Sequence, residues 1–418
     1  MRIVLCVTGS IAATETIKLA RAFRRLGVDV KAFISEDACK IIHPNALEFA
    51  TGNSVVKNLT GGIEHVKLSQ EDLILVAPAT ANVISKFAYK IADNPINTLL
   101  ITAYGHNTPI LFVPSMHDSM YTSIEENIEK LKKEGINFLN PKKEEGKAKF
   151  PDSENIILES LRIANMSNNK DKLNNDNKNN DNKNNDNKNN DNKNNKNNDI
   201  NNKADFKDKN VLITLGGTYE SIDPIRGIVN KSSGKMGLEI AKNAYIRGAN
   251  ITIIAANHSV KIPSIFNVIK AETTEEMNNV TEKLVKAFDI FIATAAISDF
   301  SPINSKEHKI SSSINLSLEF KKTEKIIKKI KKIAPNIILI GFKAEYDVSE
   351  DEIIECAKKQ MINAGTDLVV ANDLSINGSG FGSDKSEVIF VNNSIEKVSL
   401  TNKSKIAELV LNKVHKLL

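Results

Sequence analysis

The sequence predicts an α/β protein: two doubly wound, Rossmann-like parallel-sheet domains joined by a disordered linker rich in Asn, Lys and Asp. Three observations carry that prediction. The chain has 418 residues, more than one ordinary domain of roughly 100–200 residues. Short runs of Val, Ile and Leu alternate with amphipathic segments, the pattern of parallel strands buried between helices. That pattern stops and restarts around a segment with almost nothing to bury.

The segment is unmistakable. Residues 174–193 are four tandem copies of Asn-Asn-Asp-Asn-Lys, flanked by looser Asn, Lys and Asp. Such a stretch cannot offset its own ordering entropy, so residues 168–203 are expected to form a disordered tether. As a flexible coil it would span roughly 33 Å. The predicted domains are therefore 1–167 and 204–418.

In the first domain, Ile3–Thr8, Val28–Ile34, Leu73–Ala77 and Ile110–Pro114 read as buried strands. Ala12–Leu26, stopped by Gly27, and Ser123–Gly135, with Ile124, Ile128 and Leu131 on one face, read as helices. In the second domain the strands are Val211–Leu215, Ile251–Ala255, Asp289–Ala293, Ile337–Gly341 and Leu368–Ala371. Lys235–Arg247, Glu275–Ala287, Glu324–Ala334, Ser349–Ala364 and Lys403–Leu418 read as helices. Open sheets of this kind bind ligands at the carboxyl ends of their strands, so motifs just after strands matter most.

Composition narrows the function. Apolar residues make up 41% and charged residues 26%, enough for sizeable cores. Aromatics are only 5% and Trp is absent, which argues against a stacking platform for single-stranded nucleic acid. The net charge is +5, but residues 168–203 hold eight Lys and six Asp, so +2 of it belongs to the linker and no basic nucleic-acid footprint remains. Cys6, Cys39 and Cys356 form no CxxC pair and no disulfide framework, as in a reducing compartment. No apolar run approaches the ~20 residues that span a bilayer, and Met1–Leu5 enters a strand at once. The expectation is a soluble cytoplasmic protein, with neither nucleic-acid nor membrane partners.

After the first strand, Thr8-Gly9-Ser10-Ile11-Ala12-Ala13 makes a small-residue turn into a helix, a place for free N–H groups to meet a phosphate. It lacks the GxGxxG pattern, so it suggests a mononucleotide rather than NAD. Ala77-Pro78-Ala79-Thr80-Ala81-Asn82 follows the third strand and Pro114-Ser115-Met116-His117-Asp118-Ser119-Met120 the fourth. Between them His65 stands at the head of an apolar alternation, Glu64-His65-Val66-Lys67-Leu68. On its own such a His is more often structural than catalytic.

These four motifs, in this order, resemble the flavin-dependent cysteine decarboxylases over roughly residues 1–160. The resemblance implies FMN bound between the subunits of a trimer, oxidation of a cysteine thiol, and loss of CO2. Gly9, Ser10 and Ile11 would hold the FMN phosphate region with Ser35 assisting. Ala77, Ala79, Thr80 and Asn82 would lie against the flavin, and His65 would be the catalytic base, since an imidazole titrates near neutral pH. His117 stands where the family's Pro-x-Met-Asn element has Asn, and with Met120 it would bind substrate. Lys149, in Glu145-Gly146-Lys147-Ala148-Lys149, occupies a flap position where many relatives have the Cys that completes the final reduction. A second reading therefore keeps an active second domain and gives the flavin half altered or weak activity; a third makes that half a non-catalytic scaffold.

In the second domain, Gly216-Gly217-Thr218 follows the first strand and Asn230-Lys231-Ser232-Ser233-Gly234-Lys235-Met236-Gly237 opens a helix. Ser232 or Ser233 can cap that helix. The GxxxxGK[ST] spacing of a P-loop fails here. Further motifs are Ala295-Ala296-Ile297-Ser298-Asp299-Phe300, Lys309-Ile310, Gly341-Phe342-Lys343-Ala344-Glu345, Val370-Ala371-Asn372-Asp373 and Phe381-Gly382-Ser383-Asp384. Together they closely resemble the phosphopantothenate–cysteine ligases over roughly 208–416. A ligase fused behind a flavin decarboxylase matches the bifunctional coenzyme A biosynthesis family, in which one half makes the other's substrate. The resemblance implies a dimeric ligase domain that uses CTP and Mg2+ to join 4'-phosphopantothenate and cysteine through an acyl-cytidylate. Asn230 would hold the acyl phosphate and Lys309 would stabilise developing negative charge. Gly217, Ser232, Gly234, Gly237 and Phe342 would border the nucleotide, and Ala295, Ala296 and Asp299 would share the site, Asp299 facing either nucleotide or phosphopantothenate. Gln360 and Ala364 stand where relatives have phosphate-binding lysines, leaving Lys358 or Lys359 as substitutes. No metal-ligating residue is singled out.

Seven lysines between 321 and 332 form the densest charge run. Ile326, Ile327, Ile330 and Ile333 recur among them at helical spacing, so most of these lysines are expected on a solvated face.

Overall fold

The computed structural model describes residues 1–144, 147–180, 204–311, 316–380 and 382–418, with side chains for all of these except 142–148 and 168–180. Two compact units divide the chain, Met1–Ala204 and Asp205–Leu418.

The first unit is built on six parallel strands. Their spatial order is Val55–Val56, Asp29–Ile34, Arg2–Val7, Leu73–Ala79, Ile110–Pro114 and Asn137–Phe138. In chain order this is 3-2-1-4-5-6, the doubly wound arrangement, whose switch point lies between Arg2–Val7 and Leu73–Ala79. Every residue of Leu73–Ala79 is buried, as expected of a strand covered on both faces. Helix Thr16–Arg25 turns Thr16, Leu19, Ala20 and Phe23 inward and stops before Gly27, whose φ of 78° accommodates the reversal. The expected helix Ala12–Leu26 starts as a 3-10 turn, Ile11–Glu15. The expected Ser123–Gly135 breaks at Ile124 into Asp118–Ser123 and Glu125–Lys133.

Helix Ser153–Asn180 runs into the low-complexity stretch. Over 168–180 this differs from the unstructured tether expected there. Elongating an existing helix adds one backbone hydrogen bond per residue fixed, whereas the nucleus has already been formed by Ile156–Asn165 packing. The remainder of the expected tether, 181–203, lies outside the described residues.

The second unit has an eight-stranded sheet in the order Asn267–Lys270, Asn250–Ala255, Asn210–Leu215, Ile290–Ala293, Ile338–Glu345, Leu368–Asp373, Lys385–Val391, Ile395–Asn402. The first six are parallel and the last two antiparallel. Again the switch point separates the first strand of the unit from Ile290–Ala293. Helices Thr274–Leu284 and Glu350–Ala364 each begin with a full capping box, Thr273/Glu276 and Ser349/Glu352. Glu324–Ala334 shortens to Ile327–Ile333, with Ile326 and Ile330 buried, Lys328 and Lys332 exposed, and Lys329 and Lys331 half-buried in ion pairs with Glu282 and Asp367.

Candidate functional site

In the first unit, the carboxyl ends of four strands are stitched together. Thr8 Oγ1 donates to the carbonyl of Pro78 at 2.7 Å and lies 3.3 Å from Thr80 Oγ1, while the Thr80 N–H donates back to it at 3.1 Å. Ser10 Oγ lies 3.3 Å from Ser115 Oγ, and the Ser35 N–H donates to the carbonyl of Val7 at 3.0 Å. Gly9, Ser10, Ser35 and Thr80 therefore share the crevice at the switch point. A Cβ on Gly9 would lie 2.5 Å from Asp37 Cβ, so only glycine lets the turn approach the neighbouring loop. Ile11 is exposed, as are Asn82 and Met120. Ala77 and Ala79 are fully buried in their strand.

His65 stands on a single helical turn, Glu64–Lys67, rather than in an alternating strand. That turn is held by Glu64, whose carboxylate accepts from the Thr60 hydroxyl and from its N–H at 3.0 Å. These bonds hold the Glu64 carboxyl down at about 2. The His65 Nδ1 is enclosed without a hydrogen-bond partner, an expensive state for a polar atom unless a ligand serves it.

His117 caps helix Asp118–Ser123, its Nδ1 lying 2.8 Å from Ser119 Oγ. Strand Lys147–Lys149 pairs antiparallel with Met116–His117, Ala148 opposite Met116 and Lys147 opposite His117. This strand thus lies directly beside the Pro114–Met120 motif, with half-buried Lys149 at its end. Glu145 and Gly146 of the flap motif lie outside the described residues.

In the second unit, one cavity of about 630 Å³ opens at the switch point. Asn230, Ser232, Gly234, Gly237, Ala295, Ala296, Asp299 and Phe342 all line it. Gly217 stands behind this wall: a Cβ there would lie 1.9 Å from the Asn230 carbonyl oxygen, so its bareness is what lets Asn230 sit where it does. The helix Lys235–Ile246 opens into the cavity, and its cap is Gly234 at φ 78°, not Ser232 or Ser233. Ser233 Oγ still accepts the Lys235 N–H at 3.4 Å, at a helix start of the kind that can meet an anion.

Cations enter this cavity from unexpected places. Lys358 and Lys359 do not line it; they point to solvent, and Lys358 pairs with Glu355. Gln360, the next residue along the helix, does line it. The positive charge instead comes from Lys231, Lys235, Lys325, Lys343 and Lys403. Lys325 pairs with Asp299 at 3.0 Å and Lys235 with Asp384 at 2.7 Å. Lys403 donates to the Ser383 carbonyl at 2.7 Å. Its burial, and then the nearby charge of Lys235, push its ammonium below the usual lysine range. Sequence reasoning missed Lys343 and Lys403 because one lies within a strand motif and the other begins a helix read only as packing. Lys309 is exposed on a loop outside the cavity wall. Phe381 lies outside the described residues. Among the described residues, no group of three or more His, Cys, Asp or Glu is placed to hold a metal, and no helix is long and apolar enough to cross a membrane.

The family model of the DNA/pantothenate metabolism flavoprotein C-terminal domain matches residues 206–418, and the Flavoprotein model matches residues 1–164. The Coenzyme A biosynthesis bifunctional protein CoaBC of Thermococcus kodakarensis is 44% identical over 428 residues, covering 100% of this chain and 95% of that protein. Its namesake from Methanocaldococcus jannaschii is 38% identical, covering 100% and 94%. The solved DNA/pantothenate metabolism flavoprotein of Streptococcus pneumoniae is 31% identical over 50% of this chain and 100% of its own, with a TM-score of 0.45.

Proposed function

The chain belongs to the family of bifunctional coenzyme A biosynthesis proteins, and from that membership we propose how its residues divide two reactions. It is a multifunctional enzyme: the second unit ligates 4'-phosphopantothenate to cysteine, and the first, a flavoprotein that takes FMN, decarboxylates the product. In the ligase the substrate carboxylate attacks the α-phosphorus of CTP and pyrophosphate leaves. The amine of cysteine then attacks the acyl carbon and CMP leaves.

The convergence of eight motif residues on one cavity at the switch point supports this reading most. Ser232, Gly234 and Gly237 border the nucleotide phosphates at the helix N-terminus, and Phe342 flanks them. Asn230 holds the acyl phosphate, and Lys309 neutralises charge that develops during the displacement. Ala295, Ala296 and Asp299 complete the wall. Mg2+ travels with the triphosphate, whose oxygens are hard ligands, rather than in a protein cage. The test is pyrophosphate release before cysteine is added. The enzyme mixed with CTP, Mg2+ and 4'-phosphopantothenate should release about one pyrophosphate per ligase site, with CMP appearing only after cysteine. CMP and pyrophosphate appearing together, and only with cysteine present, would remove the acyl-cytidylate.

The crevice of the first unit fits FMN, because Ser10 and Ser35 put helix starts beside it. When bound, FMN accepts the electrons released as the cysteine thiol is oxidised. His65 takes the proton from that sulfur, as an imidazole acting as general base can. His117 and Met120 contact the substrate, and Lys149 brings a cation to the flap where a thiol would otherwise stand. Ala77 and Ala79 shape the strand beneath the site, while Thr80 and Asn82 offer polar groups at its rim. The flavin half associates as a trimer and the ligase half as a dimer, which light scattering on the separated halves would check.

A further inference from the structure

We propose that Asp223 is a positioning residue of the ligase: its carboxylate fixes the loop bearing Lys309 to the hairpin that delivers Asn230. The proposal rests on the roles given to those two residues above. Strands Tyr219–Ser221 and Gly227–Val229 form the hairpin, and the second strand runs directly into Asn230 at the cavity wall. Asp223 sits in its turn, buried to 1% exposure.

The carboxylate is fully occupied. Its Oδ1 accepts from the N–H groups of Ile225 at 2.9 Å and Arg226 at 2.8 Å, which closes the turn itself. Its Oδ2 accepts from Arg226 Nε at 3.0 Å and Nη2 at 2.5 Å. It also accepts the Ile310 N–H at 3.1 Å, from a residue 87 positions away. The same Arg226 Nη2 donates to the Ile310 carbonyl at 2.7 Å. Both backbone groups of Ile310 are therefore held by one ion pair, one residue after Lys309. Nearby, the Lys306 N–H donates to the Ile222 carbonyl at 2.9 Å.

A residue needed only for the turn would require the Oδ1 bonds alone. The Oδ2 bonds do something else: they tie a loop with no strand partner of its own at residues 306–310 to a hairpin whose far end is part of the site. Bidentate contact from Arg226 fixes direction as well as distance. A small misplacement of a charge-stabilising group costs a large factor in rate, about a hundredfold for 1 Å.

The test compares ligase kinetics of Asp223→Asn, Lys309→Gln and the double variant in the full chain. Asp223→Asn keeps an acceptor for the turn but turns the other oxygen into an amide that cannot receive the Ile310 N–H. The single variant should lose roughly tenfold to a hundredfold in kcat with KM for CTP nearly unchanged. Deuterium exchange should accelerate in peptides covering 303–311. Decarboxylation of supplied 4'-phosphopantothenoylcysteine should stay at the wild-type rate. Once Lys309 is already Gln, adding the Asp223 change should cost little more, because the two losses share one cause. Multiplying losses would mean that Asp223 acts apart from Lys309 and would overturn the proposal. Near-normal turnover of Lys309→Gln alone would strike down the underlying assignment, a different and separable failure. Should Asp223→Asn not fold, Arg226→Lys keeps the charge but loses the fork. It should show the same kcat loss and the same non-additivity, and wild-type turnover there would also overturn the proposal.

Discussion

At the residue scale, His65 shows how an unpromising signal becomes a specific one. A lone histidine in an apolar alternation says little, and the structure places it instead on a four-residue helical turn. Periodicity over five residues cannot separate the two. The enclosed and unpartnered Nδ1 is what only coordinates could reveal. His65→Asn should retain FMN absorbance and lose decarboxylation by at least about a hundredfold, the scale of general acid–base catalysis; unchanged turnover would take His65 out of the reaction. The turn that presents it is also predicted to be insensitive to acid. Glu64 is held at about 2, below its unfolded value of about 4.3. A depressed carboxyl contributes stability above the unfolded value and loses it only as pH falls through the folded one. Between pH 5 and 8 the turn should therefore stay docked. A loss of FMN or of folded signal above pH 5 would contradict this.

At the scale of elements, the parallel strands were legible because strands buried on both faces read as unbroken apolar runs. Ile110–Pro114 matches its sequence limits, and the other central strands differ by a few residues at their ends. The edge hairpin Lys385–Asn402 was not legible, since its outer strand is mostly exposed and mixes Glu, Lys, Ser and Thr with few apolar residues. The cation supply of the cavity failed for a related reason. Lys358 and Lys359 neighbour Gln360 in sequence, but on a helix adjacent residues point about 100° apart, and only Gln360 faces inward. Helix Lys235–Ile246 offers the clearest test at this scale. A Cβ on Gly237 would lie 2.4 Å from Thr294 Oγ1 and 2.8 Å from Leu215 Cβ. Gly237→Ala must push the helix off the strand ends, which should cost about 1–3 kcal/mol of stability and depress ligation while sparing decarboxylation. A thermal midpoint and ligase rate equal to wild type would show that the helix yields freely.

At the scale of the whole molecule, the two units repeat one physical solution. Each places its first strand in the middle of a parallel sheet, leaves a crevice at the switch point, and fills it with small residues followed by a helix start. The chain divides into two units at 204/205, just after an Asn-rich repeat that carries no apolar payload. What distinguishes the units is chemistry at the crevice: hydroxyls in one, five lysines around a large cavity in the other. The products of those crevices should meet in one pathway. The most direct test is mass spectrometry of everything formed when the purified full chain is given 4'-phosphopantothenate, cysteine, CTP and Mg2+. The account predicts saturated 4'-phosphopantetheine, with CMP and CO2 released in equal amounts. Stalling at 4'-phosphopantothenoylcysteine, with no CO2 and FMN bound, would contradict the account of a chain that performs both reactions.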